Sequence, residues 1–442
     1  MVMKSNMKKD ALKILFEGLK VADPENAVKS SLSVKGDILR IKDREYDLRN
    51  FENVYVVGAG KASGRMAKAV EDILDERIRS GFVITKKKGI IEKKGIIEKK
   101  GIIEKKDEKE RTKRIEIVEG SHPIPDERSV EGARKIVELL KKCGKKDLVL
   151  VLISGGGSSL LCYPKVNLEL FQGTTRLLIK SGADIKEINC VRKKLSNVKG
   201  GKLAKFAENS EVVSLIISDV VGDPLGYIAS GPTVSDYTTG KEAMAILKKY
   251  GLTVPEEVIE CLKKEEGATI SKAKNFLISS NRASLGKMRD LAESFGYNSM
   301  VLSTLFEGDA KQIGKFLGAI AKESSAKVAW LCGGEATVKV EGNGIGGPNM
   351  EIAASFAREI EDLNITIGCM GSDGEDGSTY GAGAIADGST VKRAREKGMN
   401  IDDYLENNDT LTFFKELGDL IVTGSTGTNV NSFWVVLVKT LR

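Results

Sequence analysis

The stretch of this chain best suited to binding a ligand follows the apolar run 148–153. Its residues are Ser154, Gly155, Gly156, Gly157, Ser158 and Ser159. The three glycines let the backbone approach a ligand closely, because no Cβ intervenes and positive φ is permitted. Successive backbone amides, with the hydroxyls of Ser158 and Ser159, then offer hydrogen-bond donors. The stretch is predicted to bind an anion such as phosphate, and a flexible turn is the alternative.

A second glycine-rich stretch, 58–64, supplies a cation. It reads Gly-Ala-Gly-Lys-Ala-Ser-Gly and places Gly58, Gly60 and Lys61 between a predicted strand over 53–57 and a predicted helix. A helix N-terminus favours anions, and a lysine there pairs readily with a phosphoryl oxygen. No Gly-Lys-Ser/Thr sequence ends the stretch, so it is not a Walker A loop. It resembles a variant dinucleotide-binding fingerprint, which motivates a rival function.

Two aspartates follow a third apolar run, 212–217. Asp219 and Asp223 lie in the sequence Ser-Asp-Val-Val-Gly-Asp-Pro, at the end of what this run predicts to be a buried strand. Aspartates are common in exposed turns. Two of them at a strand end, in a chain with a phosphate-binding loop, are better explained as ligands for Mg²⁺.

The C-terminal part of the chain repeats the pattern of apolar runs that end in glycine-rich loops. Four such loops carry acids or amides: 333–337, 342–351, 371–377 and 423–431. Each loop alone is weak support for a site, because glycine and aspartate are common in turns. Together they indicate the rim of an active site, since open α/β sheets bind ligands at the carboxyl ends of their strands.

The elements that position these loops alternate between strands and helices. Short apolar runs bounded by glycine or charge predict strands buried on both faces, and the segments between them predict amphipathic helices, the first over 9–22. The chain is therefore predicted to be α/β. At 442 residues it is long for one core, so two domains of roughly 200 residues are expected. The polar, helical segment 241–275 is predicted to connect a domain over 1–240 with one over 276–442.

The charge distribution argues against a nucleic-acid partner. The net charge is +7, but 13 Lys and Arg against 6 Asp and Glu lie within 86–114, and the remainder is balanced. That segment contains the hexapeptide Gly-Ile-Ile-Glu-Lys-Lys three times and is predicted to be a surface expansion without function. The rest of the chain has no excess of basic residues that would indicate a nucleic-acid surface.

The cysteines, the single histidine and the hydropathy pattern indicate where the protein resides and which metal sites it can form. The six cysteines are far apart, as in a reducing cytosol, and no run of about 18 apolar residues is present to cross a bilayer. A soluble cytoplasmic protein without a membrane partner is expected. His122 is the only histidine, which excludes a histidine-rich metal site. A loop residue with a local hydrogen bond is the preferred interpretation of His122.

Taken in order, the motifs resemble those of the glycerate 2-kinase family over nearly the whole chain. They are GAGKASG, GSHPIPDERSVEGAR, SGGGSSLL, SGADIKEINCVRKKLSNVKGGKLA, SDVVGDPLGYIASGPTVSD, GGEATV, GSDGEDG and TGSTGTNVN. The resemblance implies two three-layer α/β domains, with the active site in the cleft between them. The first has a mostly parallel Rossmann-like sheet, and the second, a MOFRL domain, has a mixed sheet. It also implies ATP- and Mg²⁺-dependent phosphorylation of D-glycerate at the 2-hydroxyl.

The resemblance also assigns roles to residues. Lys61 matches the essential lysine of the family, and Asp219 is the first candidate for the base that takes the hydroxyl proton. The metal ligands implied are Asp219 and Asp223. Substrate or phosphate binding is implied for Gly58, Gly60, Ser154, Gly155, Gly156, Gly157, Ser158, Ser159, Arg192 and Asn349. ATP binding is implied for Gly333, Gly334, Glu335, Asp373, Gly374, Thr426, Gly427 and Asn429.

The chain departs from the family pattern at Pro348, at Tyr380, at the common closing Asn-Asp, which reads Asn431-Ser432 here, and in the hexapeptide expansion after Thr85. Where the family usually reads GGRNQE, this chain has Pro348 in place of the arginine, and Arg192 or Lys194 is a candidate to replace it. The aspartate of the family motif DGPTDAAGA is Tyr380 here. These departures bear on the choice of substrate and leave the implied fold unchanged.

Three functions from different classes are open. The first is a glycerate 2-kinase, or a kinase of another small hydroxy acid. The second is an NADPH-linked hydroxypyruvate reductase built on 58–64; Thr85 and Lys86 follow the second strand where NAD would need an acid, so only NADP fits. The third is a non-catalytic anion-binding protein, for which Lys61 would be dispensable. The expected partner is a small-molecule substrate, and a homodimer is left open.

Overall fold

The computed structural model describes residues 7–86, 112–265, 267–324 and 326–439; the repeated hexapeptides over 89–106 lie outside the described residues. The strands are β1 (Leu32–Lys35), β2 (Ile38–Ile41), β3 (Arg44–Asp47), β4 (Asn53–Ala59), β5 (Ile78–Lys86), β6 (Ile115–Gly120), β7 (Asp147–Ile153), β8 (Glu211–Ile217), β9 (Lys274–Ser279), β10 (Asn298–Asp309), β11 (Val328–Thr337), β12 (Ile365–Gly371), β13 (Gly383–Asp387), β14 (Leu420–Ile421) and β15 (Ser432–Val438). The α-helices are α1 (Met7–Ala22), α2 (Pro24–Ser31), α3 (Ser63–Leu74), α4 (Glu127–Leu140), α5 (Gly157–Leu160), α6 (Leu168–Lys180), α7 (Ile185–Lys194), α8 (Lys202–Lys205), α9 (Gly240–Lys249), α10 (Glu256–Lys263), α11 (Asn281–Ser294), α12 (Ala310–Lys322), α13 (Pro348–Glu359), α14 (Thr390–Glu396), α15 (Ile401–Glu406) and α16 (Thr410–Leu417).

The described residues of 27–217 and 224–278 form one unit, called here the N-terminal unit. Its main sheet has the order β6-β5-β4-β7-β8-β9, and the pairings from β6 to β8 are parallel. Counted from β4, this is the order 3-2-1-4-5-6 of Rossmann folds. Every residue of β7 is buried, as expected for a central parallel strand. The predicted Rossmann-like sheet is confirmed, and a small antiparallel sheet, β1-β2-β3, precedes it.

The strand order reverses between β4 and β7, which are neighbours in the sheet. The first glycine loop (58–64) follows β4, and the second glycine loop (154–159) follows β7. Open α/β sheets bind ligands at the carboxyl ends of their strands where the order reverses. The topology therefore places both predicted anion-binding loops side by side at the position where such sheets hold ligands.

The segment 241–275, predicted to connect two domains, is part of the N-terminal unit. Helices α9 and α10 bury Ala243, Leu247, Val258 and Leu262 in a core shared with α6 and α7. The two buried residues of each helix are four positions apart, so they lie on one face of that helix. Strand β9 then completes the sheet. This apolar face outweighs the polar composition that suggested a linker.

The C-terminal unit comprises the described residues of 1–26, 218–223 and 279–442. Its sheet has the order β10-β11-β15-β12-β13-β14; β10 and β11 are parallel and the other pairings are antiparallel. The helices that cover it share a core that includes Phe356 and Trp434. The predicted mixed sheet is confirmed.

The predicted first amphipathic helix is confirmed as α1, and it packs in the C-terminal unit. Its buried residues are Ala11, Ile14, Leu15, Gly18 and Ala22. Glycine at position 18 lets α1 pack closely, because a Cβ there would lie 2.5 Å from Sδ of Met288. Lys8 adds an ion pair with Asp419 at 2.8 Å. This unit is thus built from both ends of the chain and a short middle segment, whereas a continuous domain over 1–240 was expected.

Candidate active site

Hydrogen bonds tie the two glycine loops of the N-terminal unit together. The amide of Lys61 donates to the carbonyl of Gly155 at 2.8 Å, and the amide of Ala62 donates to Oγ of Ser154 at 3.0 Å. Gly60 has a φ of +147°, and a Cβ there would lie 2.1 Å from the same hydroxyl oxygen. Only glycine fits this approach. The structure therefore brings Gly60, Lys61 and Ser154 into one continuous surface.

The second glycine loop leaves two backbone amides without a partner. Neither the amide of Gly155 nor that of Gly156 donates to any described residue, although Gly155 is buried. Buried amides are nearly always paired in folded proteins. Adjacent unpaired amides in a glycine loop form a donor set that an anion would complete.

Gly156 separates the side chains of Lys61 and His122. A Cβ at Gly156 would lie 3.0 Å from Cδ2 of His122 and 3.1 Å from Cγ of Lys61. Burial, then the charge of Lys61 and that of Lys86, lowers the pKa of His122 to about 4. The imidazole is therefore neutral at pH 7. Among the described residues it has no hydrogen-bond partner, so the local hydrogen bond expected from the sequence is not formed.

The hydroxyls of Ser158 and Ser159 are engaged within the protein. Oγ of Ser158 lies 2.6 Å from Oγ of Ser230, which in turn donates to Oδ1 of Asn189 at 3.0 Å. Oγ of Ser159 donates to the carbonyl of Pro123 at 2.5 Å. A hydroxyl has a single proton to donate, and both serines donate it to other groups of the protein. In this structure the donors of the loop that remain without a partner among the described residues are its amides, at Gly155 and Gly156.

Two cations support the second glycine loop from inside the unit. Nζ of Lys199 donates to the carbonyls of Ser158 and Leu161 at 2.6 and 3.0 Å. Nη2 of Arg192 donates to the Ser158 carbonyl at 3.3 Å, and its guanidinium lies 5.8 Å from the ring centroid of Phe171. Arg192 was expected to bind substrate directly. In the structure it contacts the backbone of the loop.

Other lysines of the basic segment 192–202 are paired with carboxylates. Nζ of Lys194, which is fully buried, lies 2.9 Å from Oδ2 of Asp236. Nζ of Lys202 lies 2.8 Å from Oε2 of Glu265. Because Lys194 is committed to this buried pair, it does not replace the arginine that the family pattern would supply.

Pro348 and Asn349 begin helix α13. Proline suits this first turn, where its missing amide has no intrahelical acceptor. Asn349 is 2% exposed; its Nδ2 donates to Asp376 at 3.0 Å and its Oδ1 accepts from Nε1 of Trp434 at 2.8 Å. Asp376 also caps the helix by accepting from the amides of Asn349 and Met350. In the structure the side chain of Asn349 is therefore hydrogen-bonded within the fold.

Asp219 belongs to an acidic group in the C-terminal unit. Nδ2 of Asn431 donates to the carbonyl of Asp219 at 2.9 Å and lies 3.5 Å from Oε2 of Glu335. Burial, followed by the charges of Asp219, Glu307 and Asp373, raises the pKa of Glu335. These four carboxylates share a negative region that a bound cation would stabilise.

The acidic group fits Mg²⁺ bound through few protein ligands. In the described part of the chain, no three His, Cys, Asp or Glu side chains converge to hold a metal on their own. Mg²⁺ usually keeps several waters and takes one or two carboxylates together with phosphate oxygens, and Asp219 and Glu335 are such carboxylates. Asp223 lies in a turn in which its amide donates to the carbonyl of Val220 at 3.1 Å, and it is not among the charges that act on Glu335.

Two of the loops predicted to bind ATP are joined to each other. The hydroxyl of Thr426 donates to the carbonyl of Ser372 at 2.6 Å, and its amide donates to that of Asp373 at 3.2 Å. Gly374 has a φ of +87°, and a Cβ there would lie 2.0 Å from the carbonyl oxygen of Gly424. The loops 371–377 and 423–431 therefore form one surface that contains Asp373, Gly374 and Thr426.

The remaining predicted ATP-binding residues differ in their surroundings. Gly427 has a φ of +73°, and Oδ1 of Asn429 accepts from the amide of Asn431 at 2.9 Å. Gly333 and Gly334 lie inside β11 rather than in a loop. A Cβ at Gly333 would lie 2.0 Å from Oδ1 of Asn281, so glycine at that position serves packing against α11.

These features define a class of α/β enzyme in which the chain has a Rossmann-type unit with two glycine loops and a mixed-sheet unit that carries acids. Family models match residues 10–263, as a domain of unknown function (DUF4147), and residues 328–432, as the MOFRL family. A glycerate 2-kinase of Pyrococcus horikoshii is 40% identical over 98% of this chain and 97% of its own. A D-glycerate 2-kinase of Thermotoga maritima is 38% identical over 98% and 99%. The chain belongs to this glycerate kinase family.

The solved structures agree with this assignment. The crystal structure of a glycerate kinase from Thermotoga maritima matches with a TM-score of 0.85 at 37% identity, over 98% of this chain and 99% of that one.

A protein of Agrobacterium vitis described as a putative hydroxypyruvate reductase is 37% identical over 87% of this chain and 86% of its own. Among the described residues, no helix has both the length and the apolar character needed to span a membrane.

Proposed function

We propose that this enzyme transfers the γ-phosphoryl group of ATP to the 2-hydroxyl of D-glycerate, with Mg²⁺, to give 2-phosphoglycerate. The observation that carries the proposal is the junction of the two glycine loops, where Lys61 stands beside the unpaired amides of Gly155 and Gly156. Amides and a lysine together suit a phosphoryl group, because phosphoryl transfer needs positioning and neutralisation of charge more than covalent catalysis. The names of the relatives support the choice of glycerate.

The residues take the following roles in this proposal. Lys61 neutralises charge on the transferring phosphoryl group, and the amides of Gly155 and Gly156 orient its oxygens. The carboxylate of Asp219 accepts the proton of the 2-hydroxyl as the bond to phosphorus forms. Glu335 and Asp219 are the carboxylates that would hold Mg²⁺, which neutralises phosphate charge when it is bound.

A coupled assay of ADP release with ATP, Mg²⁺ and D-glycerate tests the proposal, with phosphorus NMR to identify the product. The wild-type enzyme is expected to form 2-phosphoglycerate, and Lys61→Met is expected to lose about 100-fold or more in kcat/KM. Lys146→Met is the matched control, because Lys146 is an exposed lysine of the same unit whose side chain pairs with Glu52. No turnover by the wild type with D-glycerate, or unchanged activity of Lys61→Met, would contradict the proposal.

The same preparation decides the rival activity that the Agrobacterium relative suggests. Thr85 and Lys86 end β5, where an NAD-binding sheet would carry an acid. Oxidation of NADPH in the presence of hydroxypyruvate, followed by its absorbance, would establish the reductase. We expect none, because the first glycine loop is engaged with the second through Lys61 and Ala62.

A further inference from the structure

Lys199 and Arg192 place positive charge beneath the second glycine loop without a carboxylate to balance it. Lys199 is fully buried, and among the described residues its Nζ donates only to the carbonyls of Ser158 and Leu161. Nε of Arg192 is buried without a hydrogen-bond partner. Within the described part of the chain, neither side chain forms a salt bridge.

Buried cations normally have a counter-charge, because an unpaired charge in a protein interior costs several kcal/mol. The same segment of chain shows the normal case, since Lys194 pairs with Asp236 and Lys202 pairs with Glu265. Lys199 is the exception among these three lysines. Burial, with a smaller effect from Arg192, lowers its pKa to about 7, which is the consequence of leaving the charge unbalanced.

The position of the two cations relates them to the unpaired amides. Both donate to the carbonyl of Ser158, which lies in the turn that follows Gly155 and Gly156. Carbonyls and amides of a helical turn point in opposite directions. By holding the Ser158 and Leu161 carbonyls, Lys199 and Arg192 fix the turn that directly follows the two unpaired amides.

We propose that Lys199 and Arg192 are positioning residues whose missing counter-ion is the anionic group of a substrate held by the second glycine loop. They act through the Ser158 carbonyl, by fixing the loop and by adding positive potential at its amides. This inference rests on the proposed function in one respect, that the loop receives an anionic group. The inference goes further in one respect: the affinity of the loop for the anionic group depends on the charges of Lys199 and Arg192, although neither side chain touches that group.

Nuclear magnetic resonance of His122 measures this affinity at the loop, because His122 is the only histidine and its ring lies next to Gly156. The protein with a ¹³C-labelled imidazole is titrated separately with sulfate, ADP and D-glycerate. At least one of these anions is expected to move the His122 signal with a saturable curve. In Lys199→Met the dissociation constant for that anion is expected to rise at least ten-fold.

Lys202→Met is the matched control. It also removes a partly buried lysine that donates to two carbonyls, those of Lys193 and Ser196, but its charge is balanced by Glu265. Both variants are expected to lose stability, and only Lys199→Met is expected to lose affinity for the anion. In Lys202→Met the dissociation constant for the anion is expected to change by less than two-fold. Equal effects of the two variants, or none in Lys199→Met, would overturn the inference.

Measuring sulfate affinity at several pH values tests whether Lys199 acts through its charge or only through the shape that it gives the loop. Sulfate keeps its charge between pH 6 and 8, and His122 stays neutral there. The charged or ionisable groups that act on Lys199 are Arg192 and Cys162. Because Lys199 loses its proton as pH rises through about 7, sulfate affinity is expected to fall over this range in the wild type and not in Lys199→Met.

The outcome also distinguishes this inference from the proposed function. If none of the three anions moves the His122 signal of the wild type, the second glycine loop does not bind an anion and the inference is wrong, whatever the turnover assay shows. If the signal moves and Lys199→Met responds as expected, the inference stands even where D-glycerate proves to be the wrong acceptor.

Discussion

Replacing Lys61 by methionine is expected to raise the pKa of His122. In the wild type that pKa is lowered from 6.5 to about 4, which corresponds to about 3 kcal/mol against the charged imidazole. Burial contributes most of this effect, the charge of Lys61 comes second and that of Lys86 third. Lys61 therefore accounts for less than half of it, and its removal should raise the pKa of His122 part of the way from about 4 toward 6.5.

The measurement is a pH titration of the single imidazole signal from about pH 3.5 to 8. Lys146→Met, which removes an exposed lysine of the same unit, should leave the titration unchanged. A lowered pKa means that the neutral imidazole contributes stability above pH 6.5, and that this stability is lost as pH falls through about 4. An unchanged midpoint in Lys61→Met, or a wild-type midpoint near 6.5, would refute the placement of His122 beside Lys61.

Two further predictions concern stability. Asp236→Ala leaves the buried Lys193 and Lys194 without a counter-charge, so it should lower the free energy of unfolding in urea by about 3–5 kcal/mol. Glu52→Ala, which breaks an exposed ion pair, should cost less than about 1 kcal/mol, and similar losses in the two variants would contradict the reasoning. Burial raises the pKa of Asp376 to about 7, so its stability contribution is present below about pH 4 and lost as pH rises through 7. The difference in unfolding free energy between wild type and Asp376→Asn should therefore change by about 3–4 kcal/mol between pH 4 and 8, and a flat difference would contradict it.

The sheets and the two glycine loops were predictable because their signals are local. The apolar run 148–153 is long enough to be a strand and is bounded by charge and glycine, and β7 follows it closely. The same holds for the strand before 58–64 and for helix α1. In each case the pattern of neighbouring residues determines the element, so no knowledge of distant partners was needed.

The partners of polar side chains were not predictable, because they are set by contacts between distant segments. Asn349 follows glycines and a proline, which is typical of a ligand-binding loop, yet its partners Asp376 and Trp434 are 27 and 85 positions away. Nothing in the run from Arg192 to Lys202 indicates which lysine is paired with a carboxylate. The signal that could have drawn attention to His122 is its position directly after β6, at the same sheet edge as the loops after β4 and β7.

The place of α1 in the C-terminal unit has a consequence for the order of events during synthesis. The helix is synthesised long before the strands and helix that bury Leu15 and Gly18, since these include Gly368, Met288 and Phe433. The N-terminal unit contains no residue after 278, so all of it is synthesised before most of the C-terminal unit. The nascent chain therefore carries an unburied amphipathic helix throughout translation. A fragment that begins at residue 279 would leave the opposite surface uncovered, because the helix that fills it belongs to the other end of the chain.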